Sequence, residues 1–269
     1  MQGDLGLVLN PIGIVHSSMK DVEDPPLPDR PAEVEIYAQY QPALLRIEEN
    51  SHLWLLLWFH KSNRQVLVGA PRRLNPDLPD YGVFSLRSPN RPNPIALYLV
   101  ELVSRQGNIL KVRGIDAIDQ TPVLDIKPYY EQDIVFSPRT SYIRAADRTV
   151  RHNIMLKVAL RHHQEPCRDA NLAVRMALAA EEYMGNLNQP ELNITVYGSR
   201  CLGDTLQGLT RARLANPARF TFRESSQLSR SIWERPGCNL MITARDIEPV
   251  GDWHDPDDED LFSIELSQT

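Results

Sequence analysis

Between residues 10 and 136 the apolar runs are short, and clusters of proline, glycine, asparagine and aspartate separate them. A helix needs an apolar stripe sustained over roughly ten or more positions, whereas a strand is complete in about four to eight. The first half of the chain therefore reads as β-rich. Candidate strands fall at residues 12–15, 53–59, 66–68, 82–86, 95–103, 109–113 and 123–126. Two of these, 95–103 and 109–113, are joined by Ser104-Arg-Gln-Gly-Asn108, a hairpin turn. Residues 24–31 hold four of the 21 prolines and are expected as an exposed loop, because proline fixes φ and removes the backbone donor.

After Pro138 the texture changes. Leu172, Ala173, Met176, Ala177, Ala180 and Met184 recur at helical spacing, and Gly185 stands where such a helix stops. A strand is expected at 192–197, a helix at 202–209, and short strands near 219–222 and 240–244. The fold class is α+β overall, with a boundary near residues 138–150. The expected division is 1–140, 141–245, and a C-terminal tail at 246–269.

Composition narrows the function. With 42% hydrophobic and 24% charged residues, global disorder is excluded. The three cysteines, Cys167, Cys201 and Cys238, are scattered and form no C-x-x-C pair, which points to a reducing compartment. The first residues resemble neither a signal nor a transit peptide, and the longest apolar run, 53–59, is too short to span a bilayer. A soluble, cytoplasmic protein without membrane association is expected. The net charge of −6 argues against a nucleic-acid partner until it is divided by segment. Residues 246–269 carry nine acids and no Lys or Arg, so the rest of the chain stands at +3 (29 basic, 26 acidic). Such a run reads as a solvated tail that could shield a basic surface.

Three stretches carry chemistry. Tyr81-Gly-Val-Phe-Ser-Leu-Arg-Ser-Pro-Asn-Arg-Pro-Asn-Pro94 is a proline-stiffened loop presenting Arg87 and Arg91. Guanidinium on a stiff loop suits an anionic ligand, and the bland alternative is a rigid surface connection. The second, residues 114–129, spaces Asp116, Asp119 and Asp125 around Thr121-Pro122, with Lys127 after. Acids beside a turn can bind a ribose or an amine, or cap their own backbone. The third, Asn50-Ser-His-Leu-Trp-Leu-Leu-Leu-Trp-Phe-His60, is a strand bracketed by His52 and His60. Residues 61–91 also contain Lys61, Arg64, Arg72, Arg73, Arg87 and Arg91 against Asp77 and Asp80, a local surplus that favours a phosphate backbone.

The blocks Ser51-His-Leu-Trp54, Gly82-Val-Phe with Arg87-Ser88 and Arg91-Pro-Asn-Pro94, and Asp119-Gln-Thr-Pro-Val-Leu-Asp-Ile-Lys-Pro-Tyr129 resemble the TrmO/YaeB (TsaA-like) family over residues 10–136. That resemblance implies a small β-barrel, S-adenosyl-L-methionine as cofactor, a homodimer, and N6-methylation of threonylcarbamoyl-adenosine next to the anticodon of threonine tRNA. Carried over by position, the implied cofactor contacts are His60, Lys61, Arg87, Leu97, Asp119, Gln120, Thr121 and Pro122. Asp119, then His60, is the expected proton acceptor. Arg72, Arg73, Arg91 and Lys127 are expected to contact substrate. The match departs at His16-Ser17-Ser18, where the family has Arg-Ser-Pro, and at residues 24–30.

Residues 150–245 resemble, less closely, the FmdE-like α+β domain. That resemblance implies metal ligation by His163, Cys167 and Cys201, donors that suit zinc or a similar divalent ion. This half carries 15 basic and nine acidic residues over 141–245, so it could extend a tRNA-binding surface. The leading reading is a tRNA N6-adenosine methyltransferase. The alternatives are a methyltransferase of the same fold acting on a small molecule or metallocofactor, and a non-catalytic S-adenosylmethionine and metal sensor.

Overall fold

The structure, a computed structural model, describes residues 8–21, 31–245 and 258–267. It divides into two compact units, one built from residues 1–70 and 79–134 and the other from 71–78 and 135–269.

The first unit is a closed barrel. Six strands, β1 (Gly13–His16), β2 (Pro31–Ile36), β3 (His52–Trp58), β6 (Ile95–Gln106), β7 (Ile109–Arg113) and β8 (Thr121–Pro128), close in the order β1-β2-β7-β6-β3-β8. All six pairings are antiparallel. Alternation fills the interior: Leu53, Leu55 and Leu57 of β3 meet Val15, Val34, Val100, Leu110, Val112 and Val123, all essentially inaccessible. Trp54, Leu56 and Trp58 take the opposite face and are half-buried. Gly13 is fixed by proximity, since a Cβ there would lie 2.2 Å from the Glu35 carbonyl oxygen of the neighbouring strand.

Two expectations change. The strand expected at 82–86 is only the two-residue β5 (Tyr81–Gly82), paired with β4 (Val68–Gly69), and then a 3-10 turn at Val83–Ser85. The turn buries Val83 and leaves Phe84 80% exposed, so the apolar run serves two surfaces rather than one strand face. The expected 24–31 loop falls at 24–30 outside the described residues, while Pro31 opens β2, a position where a strand needs no donor. β2 escapes a search for apolar runs because Glu33 and Glu35 alternate with its buried Ala32, Val34 and Ile36.

The second unit packs helices against a mixed five-stranded sheet. Strands β9 (Asn193–Gly198), β10 (Phe220–Glu224), β11 (Arg230–Arg235), β12 (Cys238–Ala244) and β13 (Phe262–Ser267) are ordered β10-β9-β11-β12-β13. Helices α1 (Arg148–His163), α2 (Arg168–Met184) and α3 (Arg200–Thr210) contact one another, and α2 and α3 contact the sheet. Met176, Met184, Ile194, Leu202, Leu206, Trp233 and Ile242 form the core between them. Helix α1 lies in a stretch without a clean apolar stripe, because its buried positions include Arg151 and His152.

The acidic tail needs correction. Residues 246–257, with five of its acids, lie outside the described residues. A one-turn helix α4 (Asp258–Leu261) and β13 instead belong to the folded unit. Asp258 accepts two hydrogen bonds of 2.7 Å from Arg148 and one of 2.9 Å from Arg175, whose side chain is 3% exposed. Phe262 is buried, and β13 pairs along β12 from Asn239–Ser267 to Ala244–Phe262. Asp258, neutralised by Arg148 and the buried Arg175, anchors the short helix that leads into the edge strand β13. A shield for a basic surface cannot be assigned to these positions.

Candidate functional site

Strand register gathers most of the candidate residues at one end of the barrel. Trp58 at the end of β3 pairs with Ile95 at the start of β6, and Leu57 pairs with Val123 near the start of β8. Val15, near the end of β1, pairs with Thr121. This rim therefore collects the segment after β3 (Phe59, His60, Lys61), the 87–94 loop before β6, the corner before β8 (residues 116–120), and the segment after β1 (Ser17 to Lys20). These lie as much as a hundred residues apart in sequence.

The Asp119-Gln120 corner is clamped onto the β1 end. Ser17 N donates to Asp119 Oδ1 at 3.0 Å and Lys20 Nζ to Oδ2 at 2.8 Å. Asp119 N donates to Met19 O at 2.7 Å, and Gln120 N to Val15 O at 2.8 Å. Gln120 takes a left-handed φ of 64°, which turns the chain into β8. The Lys20 ammonium and the Ser17 amide hold the Asp119 carboxyl below its ordinary pKa. With both oxygens engaged and its basicity lowered, Asp119 is poorly suited to accept a proton, and its geometry is that of a clamp. Nearby, His16 Nε2 lies 2.7 Å from Glu35 Oε2, and the Gln120 amide lies 3.4 Å from His16 Nδ1.

The arginine loop is tied to the segment after β3. Phe59 N donates to Pro94 O at 2.9 Å, Asn63 N to Asn90 Oδ1 at 2.9 Å, and Arg64 Nε to Pro92 O at 2.9 Å. Arg64 covers the Trp58 ring at 5.5 Å and Arg91 covers Phe84 at 5.8 Å. Tyr98 on β6 donates to Asp116 O at 2.6 Å. Burial and the Asp116 carboxylate push the Tyr98 hydroxyl well above its ordinary pKa, while Arg87 pulls the other way. Arg87 and Asp116 therefore act in opposite senses on one half-buried phenol. His60 and Lys61 stand exposed on the same rim.

Other candidates part from this group. Leu97 lies within β6 with its side chain outward and 44% exposed. The Thr121 side chain is buried and donates to Ile118 O at 2.7 Å, so only its backbone can meet a ligand. Pro122 is half-buried opposite Ile14. Lys127 sits toward the opposite end of the barrel, opposite Trp54, and pairs with Asp125 at 2.8 Å. An antiparallel strand of eight residues carries position 127 away from the rim where position 121 begins. Arg72 and Arg73 are exposed and belong to the second unit, so the basic 61–91 stretch is shared between two units. Lys20 and Tyr98 belong to no motif in the sequence, and only the fold brings them to this rim.

The second unit brings together His163, Cys167 and Cys201, with their donor atoms all within 4.8 Å of one another. Cys167 caps α2, accepting from Ala170 N at 3.3 Å, and Cys201 lies in the first turn of α3, capped by Ser199. Burial and the surrounding Cys167, Asp169 and Glu165 raise the Cys201 thiol above its ordinary pKa. Among the described residues no helix is long and apolar enough to cross a membrane.

The profile of the tRNA-methyltransferase O N-terminal domain matches residues 12–133. An Archaeoglobus fulgidus protein named "Probable S-adenosyl-L-methionine-binding protein" is 34% identical over 220 residues, which are 77% of this chain and 59% of that protein. The chain thus matches less than two thirds of that relative's length. A Methanothermobacter thermautotrophicus protein of the same printed name is 43% identical over 132 residues, covering 48% of this chain and 93% of that protein. The Mus musculus tRNA (adenine(37)-N6)-methyltransferase is 46% identical over 97 residues, 35% of this chain and 22% of that one.

Proposed function

The chain belongs to the tRNA-methyltransferase O family, and from that premise we propose that it transfers a methyl group from S-adenosyl-L-methionine to N6 of an adenosine in tRNA. The finer reading is the threonylcarbamoyl-adenosine beside the anticodon of threonine tRNA. The observation that carries the proposal is the convergence of His60, Lys61, Arg87 and the Asp119-Gln120 corner on one barrel rim.

The donor set suits such a ligand. Arg87 and Arg91 offer planar cationic forks for a carboxylate, and the backbone of the clamped corner offers groups to an adenosine. S-adenosylmethionine supplies an electrophilic methyl on a sulfonium centre. The exocyclic nitrogen is a weak nucleophile because its lone pair is conjugated, so alignment on a rigid rim contributes most. The clamp among Asp119, Lys20 and Ser17 keeps that corner fixed. His60, exposed on the rim, takes the N6 proton as the bond forms, a role transferred to it from Asp119. Lys61, Arg64 and Arg91 meet the anionic backbone.

A homodimer accords with the outer barrel face, where Ile95, Leu97 and Val103 are each 39–46% exposed beside half-buried Trp54 and Trp58. The deciding experiment measures radiolabel transfer from S-adenosylmethionine into tRNA from a strain lacking the endogenous enzyme. Modified threonine tRNA should be labelled, and tRNA lacking threonylcarbamoyl-adenosine should not. Tight cofactor binding without transfer to any tRNA would refute methylation of RNA.

A further inference from the structure

We propose that His16 is a positioning residue for the rim site: with Glu35 behind it, it fixes the Gln120 amide so that the carbonyl oxygen meets the 6-amino group of the cofactor's adenine. This role rests on the reading of the rim as an S-adenosylmethionine site. His16 stands where the sequence departs from the Arg-Ser-Pro of the family, and neither it nor Glu35 is among the contacts that the resemblance implies.

The three side chains come from separate strands and meet on the outer face of the barrel. His16 ends β1, Glu35 lies on β2, and Gln120 immediately precedes β8. Alternation turns His16 and Glu35 away from the buried Val15, Val34 and Ile36, and both side chains stay partly accessible, at 38% and 40%. The backbone brings Gln120 to them: its N–H donates to Val15 O at 2.8 Å, and its φ of 64° makes the corner.

Donor and acceptor roles then orient each group. Glu35 Oε2, 2.7 Å from His16 Nε2, can only accept, so Nε2 carries the hydrogen. In the neutral ring Nδ1 is left as an acceptor, 3.4 Å from the Gln120 amide nitrogen. The Asp119 carboxylate, also an acceptor, takes a second side-chain hydrogen bond from Gln120. An amide whose nitrogen serves two acceptors has one orientation, and the group it leaves for a ligand is its oxygen.

An amide oxygen selects a donor. Of the two adenines that meet in methyl transfer, the acceptor nucleoside must surrender its N6 hydrogen, and an amide oxygen is too weak a base to take it. The cofactor's 6-amino group keeps its hydrogens throughout, so it is the partner this oxygen suits. A 6-oxo purine would set oxygen against oxygen, and a fixed amide cannot turn over to relieve the mismatch.

The test titrates the full chain with S-adenosylhomocysteine and with its 6-oxo counterpart, S-inosylhomocysteine, by calorimetry without any methyl acceptor. The parent should prefer the amino ligand by about tenfold or more. His16→Ala frees the amide to turn over and should cut that preference to about threefold or less, with melting temperature confirming that the variant folds. His16→Asn keeps an acceptor near the Nδ1 position and should retain the preference; a loss equal to that of alanine would overturn the role of Nδ1. Gln120→Ala should abolish the preference. An unchanged ratio in His16→Ala, or an equal loss of affinity for both ligands, would overturn the positioning role and leave the cofactor site standing. A parent that binds neither ligand would instead refute the cofactor reading, and the role of His16 with it.

Discussion

Gly208→Ala pits helix propensity against packing, and the two predict opposite signs. Gly208 lies inside α3, where alanine at an exposed position would stabilise by about 1 kcal/mol. Here a Cβ would stand 2.5 Å from both Cγ and Cδ2 of His162 and 2.7 Å from its Cβ. Carbon contacts normally sit near 3.5–4.0 Å, so the overlap is about an ångström. The contact with the His162 Cβ prevents relief by rotation of the ring alone, and α1 must move from α3. Overpacking typically costs about 1–3 kcal/mol, and this geometry calls for its upper end. The expected net effect is a loss of about 2 kcal/mol, a fall in melting temperature of roughly 4–8 °C for a unit of this size. Circular dichroism at the helical minimum follows it, because α1, α2 and α3 all lie in the second unit. A melting temperature equal to or above that of the parent would refute the close approach of α1 and α3, and with it the placement of His163 against Asp204.

Asp119→Asn should cost at most about 1 kcal/mol, because Lys20 is 70% exposed and water screens the pair. The lowered Asp119 pKa contributes stability that is complete above the unfolded value near about 4 and is lost as pH falls through the folded value. Acid unfolding of the variant should therefore show a shallower slope below about pH 4, and an unchanged profile would remove the clamp. In the methyl-transfer assay the same variant should raise KM for S-adenosylmethionine more than it lowers kcat, whereas His60→Gln should do the reverse; a pure kcat loss in Asp119→Asn would return the proton to Asp119. Asp258→Ala withdraws a carboxylate from Arg148 and the buried Arg175, and should destabilise the second unit by about 2–4 kcal/mol in urea unfolding. A loss below about 0.5 kcal/mol would mean that residues 258–267 are dispensable after all.

The barrel strands were legible because apolar periodicity and turn residues act locally. β3 and β6 each carry enough apolar residues in sequence to announce a strand, and α2 shows its stripe directly. β2 and α1 were not legible for one reason: charged residues interrupt their patterns. Glu33 and Glu35 point away from the barrel core, while Arg151 is buried and paired with Glu182 at 2.5 Å. A buried arginine looks like a surface residue until its partner, 31 positions away, is known.

Within the site, residue types marked His60, Arg87 and Asp119 as chemically capable, while the His/Cys donors followed from a family resemblance. Sequence determined which atoms could react or ligate, since that is a property of each side chain. Tertiary structure decided which of them meet and in what state. Register brought Asp119 to Ser17 and Lys20, which lowered its basicity, and carried Lys127 toward the other end of the barrel. It also turned one acid of the expected tail, Asp258, into the partner of Arg148 and Arg175. The physical reason is that pKa, burial and ligand geometry depend on groups a few ångströms away in space, and those groups are dozens of residues away along the chain.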